Sequence, residues 1–278
     1  MNCKLAAMNC HYRFYPLEYF FSSAKENGFK AVEIWTGPQH FYMDYKNYED
    51  VNKLKELSWK YQIEVISICP EQTNPKPNNI AIKDNKRKEN VKRYFCNAID
   101  VASEVGCKHI VITSGWAFYN ENLEEAFNRS VHMIKDIAIY AEKKKIYLAI
   151  EALQPMESKL VTNISDIKKL KKMVNSDYLK ICIDFGAMAK AGESIKEYFQ
   201  AFGNDIIHVH FVDGTPTGHL AWGDGERNLE QDIRDLEKWG YKGYLSLETA
   251  NERYYENPSE ADKKSIIAFN KIIKEKKI

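Results

Sequence analysis

IIHVHFVD, residues 206–213, combines four β-branched residues with histidines at alternate positions, His208 and His210. A run this short and this apolar reads as a strand buried on both faces of a parallel sheet, with His210 toward its C-terminal end. The runs on either side repeat the design. LKICIDFG (179–186) ends on Asp184, IYLAIEA (146–152) on Glu151, and YLSLETA (244–250) on Glu248. Four further runs precede them: LAAMNC (5–10), AVEIW (31–35), IEVISIC (63–69) and HIVITSG (109–115). Between the runs lie amphipathic helical patterns, among them PLEYFFSSAKENG with its proline start and glycine stop, and EADKKSIIAFNKIIKEKK closes the chain. Eight strand-then-helix units in 278 residues read as an α/β fold, one closed (β/α)8 TIM barrel with residues 1–278 as a single domain. An open doubly wound sheet would carry a phosphate fingerprint after its first strand, and no GxGxxG follows LAAMNC.

Composition narrows the function. The formal net charge is +1, without the basic stripe that a nucleic-acid surface needs. No apolar run approaches a membrane span, and MNCKLAAMNC is too short and polar for a signal peptide, so a soluble, cytoplasmic protein is expected. The six cysteines form no CxxC pair, which argues against a zinc ribbon or redox motif and for reduced, buried thiols. Cys10, Cys69 and Cys182 fall near strand ends, where a place in a pocket wall competes with plain core packing, the stronger reading.

A carboxylate or imidazole ending a buried run is costly to desolvate unless something compensates it. Side chains alternate along a strand, so Ala149 lies below Glu151, Cys182 below Asp184, His208 below His210 and Ser246 below Glu248. Small residues there leave room at the barrel axis. Three carboxylates and one imidazole sharing an interior call for a cation, and Glu151, Asp184, His210 and Glu248 form an O/N ligand set for one divalent metal. One imidazole among oxygens suits Mn(II) or Mg(II), with Co(II) or Zn(II) as alternatives. Glu151 and Glu248 also supply a general acid and a general base. His208, one layer lower, is expected to bond a neighbour beneath the site. Barrel enzymes place substrate loops after strand ends, which points to residues 36–44, 70–84 and 213–228 as the pocket rim, with Trp35, His40, Trp116 and His219 as substrate-binding candidates.

These residues, in this order and spacing, resemble the xylose-isomerase-like barrel superfamily of sugar-phosphate isomerases and epimerases along essentially the whole chain. Within it, NCHYRFYPLEYFFSSAKENGFKAVEIWTGPQHFYMD, IEALQPMESKLVTN, CIDFGA, HVHFVDGTPTGHLAWGDGE and GYKGYLSLETAN resemble the fructoselysine 3-epimerase branch, related to the D-tagatose and D-psicose 3-epimerases. The resemblance implies metal ligation by Glu151, Asp184, His210 and Glu248, substrate contact by Glu157, C3 epimerisation through a cis-enediolate with Glu151 and Glu248 as acid and base, and a homo-oligomer. The chain departs from the ketose 3-epimerases at two positions. Ala187 stands where they carry a histidine after strand six, and Pro216 where they carry an arginine after strand seven. Both departures, together with an acidic rim of Glu71, Glu157 and Asp224, point from free ketoses toward an amine-bearing ketosamine.

Four rivals use the same barrel. An aldose–ketose isomerase of hydroxypyruvate-isomerase type would move the proton between C1 and C2, and an inosose dehydratase would lose water. An endonuclease IV-type repair enzyme would need more histidines and a basic surface. A silent sugar-binding protein would have little use for the glutamate pair.

Overall fold

The computed structural model describes residues 3–72 and 75–275. Thr73 and Asn74 of the 70–84 loop, the first two residues of the 1–278 reading, and the residues after 275, including the end of the last helical segment, lie outside the described residues.

Eight parallel strands close into a barrel in sequential order: β1 (Lys4–Met8), β2 (Ala31–Trp35), β3 (Glu64–Cys69), β4 (His109–Ile112), β5 (Tyr147–Ile150), β6 (Leu179–Asp184), β7 (Ile206–His210) and β8 (Tyr244–Leu247). The pairing of β1 with β8, Leu5 opposite Leu245, closes the ring and leaves no sheet edge. Around it run α1 (Leu17–Glu26), α2 (Asn52–Tyr61), α3 (Asn85–Val105), α4 (Leu123–Lys144), α5 (Ile164–Val174), α6 (Phe185–Lys190), α7 (Ile195–Phe202), α8 (Leu229–Lys238) and α9 (Pro258–Glu275).

The helices form where an apolar stripe recurs at helical spacing. In α3, Val91, Tyr94, Phe95, Ala98, Ile99 and Ala102 are buried against the barrel. Caps fix the starts. Asn122 accepts from the Glu124 and Glu125 amides, and Ser194 with Glu197 forms a capping box at α7. Two apolar layers result. One fills the space between strands and helices; a smaller one, with Met8, Cys69, Val111, Ala149 and Cys182, lies inside the barrel. No helix among the described residues is long and apolar enough to cross a membrane.

The short helix α6 was not read from the sequence. β6 passes into it without a loop, and Asp184 is at once the last strand residue and the helix cap. That junction fixes the aspartate's carboxylate before any ligand is considered.

Candidate metal centre

Four strand ends deliver the site. In β6 and β7, Asp184 pairs with His210, and His210 with Ser246 of β8. Glu151 follows β5 immediately, its amide donating to the Ile112 carbonyl at 3.0 Å, so it keeps the strand's direction. Glu248 follows β8. One ligand atom from each of Glu151, Asp184, His210 and Glu248 lies within 4.8 Å of the others.

The donor set fits a divalent cation. His210 Nδ1 sits 2.8 Å from a Glu151 oxygen and 3.0 Å from a Glu248 oxygen, yet it makes no well-formed hydrogen bond to either. Asp184 Oδ1 accepts from the Ala187 amide at 2.5 Å, leaving Oδ2 buried and without a protein partner. Atoms that converge without bonding one another are arranged as ligands about a common point.

Charge is distributed unevenly. Burial, with Glu248 and Asp184 nearby, pushes the Glu151 carboxyl up to about 8 against the pull of His210. Burial acts on Glu248 in the same direction, but His210 and His219 outweigh it and hold that carboxyl well below its usual range. Burial raises Asp184 as well. The surroundings thus favour the protonated form of Glu151 and the ionised form of Glu248, a division suited to an acid and a base.

Beneath the ligands lies a residue not singled out in the sequence. Glu33 of β2 is fully buried; its Oε2 accepts from His208 Nε2 at 2.8 Å and lies 3.4 Å from His210 Nε2. The expectation for His208 is thus met, and its partner is Glu33. Burial would raise the Glu33 carboxyl, but the two imidazoles hold it well below the usual range. Cys182, His208 and His210 also come within ligating distance of one another. Glu33 already faces both imidazoles, and burial pushes the Cys182 thiol well up, so this group is a hydrogen-bonded support under the metal ligands. Glu33 was legible only as an acidic residue in the apolar run AVEIW.

A cavity of about 380 Å³ opens over the cluster. Trp35, Glu157 and His219 line it, and so do Cys10 and Cys69. Burial raises both thiols well above the usual range, so they act as wall rather than nucleophile. His219 adopts a left-handed backbone (φ 48°), and its Nδ1 lies 3.4 Å from Glu248 Oε2. Burial alone would lower this imidazole; Glu248, Asp184 and Glu157 outweigh it and hold it up at about 10. The site also needs Gly186, where a Cβ would stand 3.2 Å from Asp184 Oδ1 and 3.3 Å from His219 Nε2. Glu157 Oε2 accepts from the Gln154 amide at 3.0 Å, and burial raises its carboxyl.

Five expectations need correction. His40 is fully buried and bonded to Asn9 and to the Tyr12 and Tyr15 carbonyls, and the 36–44 segment does not line the cavity. Trp116 lines a separate neighbouring cavity with Phe118, Lys83 and Arg87, which shares only Lys76 with the first. Of the expected acidic rim, Glu71 and Glu157 line the cavity, Glu71 paired with Lys76, while Asp224 turns away to Lys264 and Tyr254. Of the 213–228 loop only His219 reaches the cavity, because Asp213 gathers the amides of Gly214, Gly223, Gly225 and Arg227 and folds the loop on itself. Ala187 is 1% exposed in the apolar layer between strands and helices, away from the cavity lining. Arg13 and Tyr255, unnoticed in the sequence, do line it.

The family model described as "Xylose isomerase-like TIM barrel" matches residues 21–271. A protein named fructoselysine 3-epimerase from Shigella flexneri is 29% identical over 247 residues, covering 88% of this chain and 89% of that protein. Among solved structures, a D-tagatose 3-epimerase-like protein superposes with a TM-score of 0.81 at 23% identity, covering 99% of this chain and 100% of the other. An IOLI protein solved with a bound zinc atom gives 0.77 at 19% identity, covering 98% of each chain.

Proposed function

The chain belongs to the xylose isomerase-like TIM barrel family, and from that premise we propose that it is a metal-dependent sugar 3-epimerase whose substrate is a ketosamine of the fructoselysine kind. The observation that carries the reading is the convergence of Glu151 and Glu248 on His210 Nδ1, with Asp184 beside them, at the floor of a cavity. Glu151, Asp184, His210 and Glu248 would hold the cation, Mn(II) or Mg(II) by the oxygen-rich donor set. When bound, it supplies Lewis-acid stabilisation of the negative charge that develops on the sugar oxygens.

The remaining work falls to side chains. One glutamate removes the proton from C3, and the other delivers a proton to the opposite face; reversing the reaction exchanges the two roles. His219, against Glu248, holds that carboxylate in place and offers a donor to a substrate hydroxyl. Glu157 accepts from another hydroxyl, and the Trp35 ring covers a C–H face of the sugar. The ketosamine is favoured over a free ketose by the relative named fructoselysine 3-epimerase, similar over most of both chains.

Incubation with fructoselysine and Mn(II) in deuterated water tests this. NMR should show deuterium entering at C3 together with the C3 epimer. Label at C1 with an aldose product would replace the proposal with an aldose–ketose isomerase, and no exchange from fructoselysine or any ketose would refute it.

A further inference from the structure

We propose that Arg13 is the anchor for an anionic group, a carboxylate or a phosphate, at the end of the substrate remote from the reacting carbon. The inference deepens the epimerase reading and rests on it. Of the cationic side chains lining the cavity, Lys76 is taken up by Glu71 and His219 lies against Glu248. Arg13 alone among them has no carboxylate partner within the described residues, although five carboxylates share the lining: Glu71, Glu151, Glu157, Asp184 and Glu248.

Its guanidinium is nevertheless held in place. The group lies 4.6 Å from the Tyr255 ring and 5.6 Å from the Trp35 ring, and Nε donates to the Cys10 carbonyl at 3.3 Å. Both rings line the cavity as well. The two rings and one backbone bond hold the group in place, and among the described residues no hydrogen bond commits its terminal N–H groups. A guanidinium so fixed presents a fork matched to a carboxylate or phosphate, with little further ordering cost on binding. A neutral sugar would leave that capacity unused, whereas a sugar carrying an amino-acid tail or a phosphate would fill it.

The test compares paired substrates that differ only in the anion. One pair is fructoselysine and the fructosyl derivative of 1,5-diaminopentane, which lacks the carboxylate and keeps the second amine. The other is D-fructose 6-phosphate and D-fructose. The metal-loaded wild type should favour the anionic member of one pair, and the pair identifies the source of the anion. Arg13→Ala should reduce that preference about ten- to hundredfold, through KM, as expected for losing a hydrogen-bonded charge. Arg13→Lys should restore it only in part, because an ammonium lacks the planar fork.

Equal losses on both members of a pair would reduce Arg13 to a structural role and overturn the proposal. So would the absence of any preference in the wild type, or its transfer to Lys83→Ala or Arg87→Ala in the neighbouring cavity. Should none of these sugars turn over, the epimerase reading fails separately. Calorimetric titration with inorganic phosphate and with 6-aminohexanoate then decides: saturable binding lost in Arg13→Ala upholds the anchor, and no binding of either by the wild type refutes it.

Discussion

Glu33 Oε2 stands 3.4 Å from His210 Nε2, on the side of the imidazole opposite the carboxylates that face Nδ1. The same oxygen accepts from His208 at 2.8 Å. An ionised carboxylate there favours a proton on Nε2 and leaves Nδ1 free as a ligand. Such support behind a ligating histidine fixes its tautomer and its ring orientation. Glu33→Gln should therefore weaken divalent-metal binding by about 10–100-fold while the barrel still folds. Titration with Mn(II), beside a circular dichroism spectrum, measures both; unchanged affinity would make Glu33 a core partner of His208 and nothing more.

Glu151→Gln and Glu248→Gln should each abolish turnover with the fold intact. Glutamine keeps the shape and an oxygen but cannot exchange the proton. The loss should exceed the ~10²–10⁴-fold typical of a general acid or base, since metal affinity falls too. Deuterium exchange at C3 reads the effect directly. Near-normal kcat in either variant would remove that residue from the proton path.

Metal binding should be steeply pH-dependent. Burial pushes the Glu151 carboxyl up to about 8, and against burial Cys182 together with Glu248, Glu151 and Glu33 holds His210 well above its usual value. At neutral pH both therefore carry protons that must leave before they can ligate. Raised values mean that protons compete below about 8, so apparent affinity should climb with pH across the neutral range, about tenfold per unit for each proton released. Proton release measured by titration in two buffers of different ionisation enthalpy checks the count. Affinity that falls as pH rises would contradict the site.

Strand order and the convergence of Glu151, Asp184, His210 and Glu248 were legible because both depend on short-range pattern. Apolar runs with period-two alternation set which face carries Asp184 and His210, and the chain order of the units set the closed barrel. The rim was less legible. His40 looks like a loop donor in the sequence, but three backbone and side-chain partners far along the chain bury it. Asp224 looks like a pocket acid, yet Asp213 folds its loop so that it meets Lys264. Arg13 and Tyr255 are separated by most of the chain and become neighbours only when β1 pairs with β8. Long-range closure decided each of these, and local pattern carries no trace of it.

Gly186→Ala should lower kcat without unfolding the protein. The added Cβ would stand 3.2 Å from Asp184 Oδ1 and 3.3 Å from His219 Nε2, so one of them must move by a few tenths of an ångström. The backbone there is helical and tolerates alanine. The loss should be smaller than the ~10²-fold that can follow a 1 Å misplacement. An unaffected kcat would mean that neither neighbour needs its present position.

Substrate preference should not respond to Ala187→His. The sequence argued that an imidazole missing at this position strips a polar contact from the pocket. The structure places Ala187 in the apolar layer behind β6, and His219 brings an imidazole beside Asp184 and Gly186 from the loop after β7. A histidine at 187 would enter a packed core, where overpacking costs about 1–3 kcal/mol, and a buried polar ring adds to that unless it is bonded. Thermal unfolding should show the destabilisation, with the ratio of kcat/KM for fructoselysine over D-tagatose unmoved. His219→Ala should instead change that ratio, because its ring lines the cavity and leans on Glu248. A shift toward free ketoses in Ala187→His, with stability retained, would show that the pocket reaches behind β6 and that the imidazole after strand six does govern the choice.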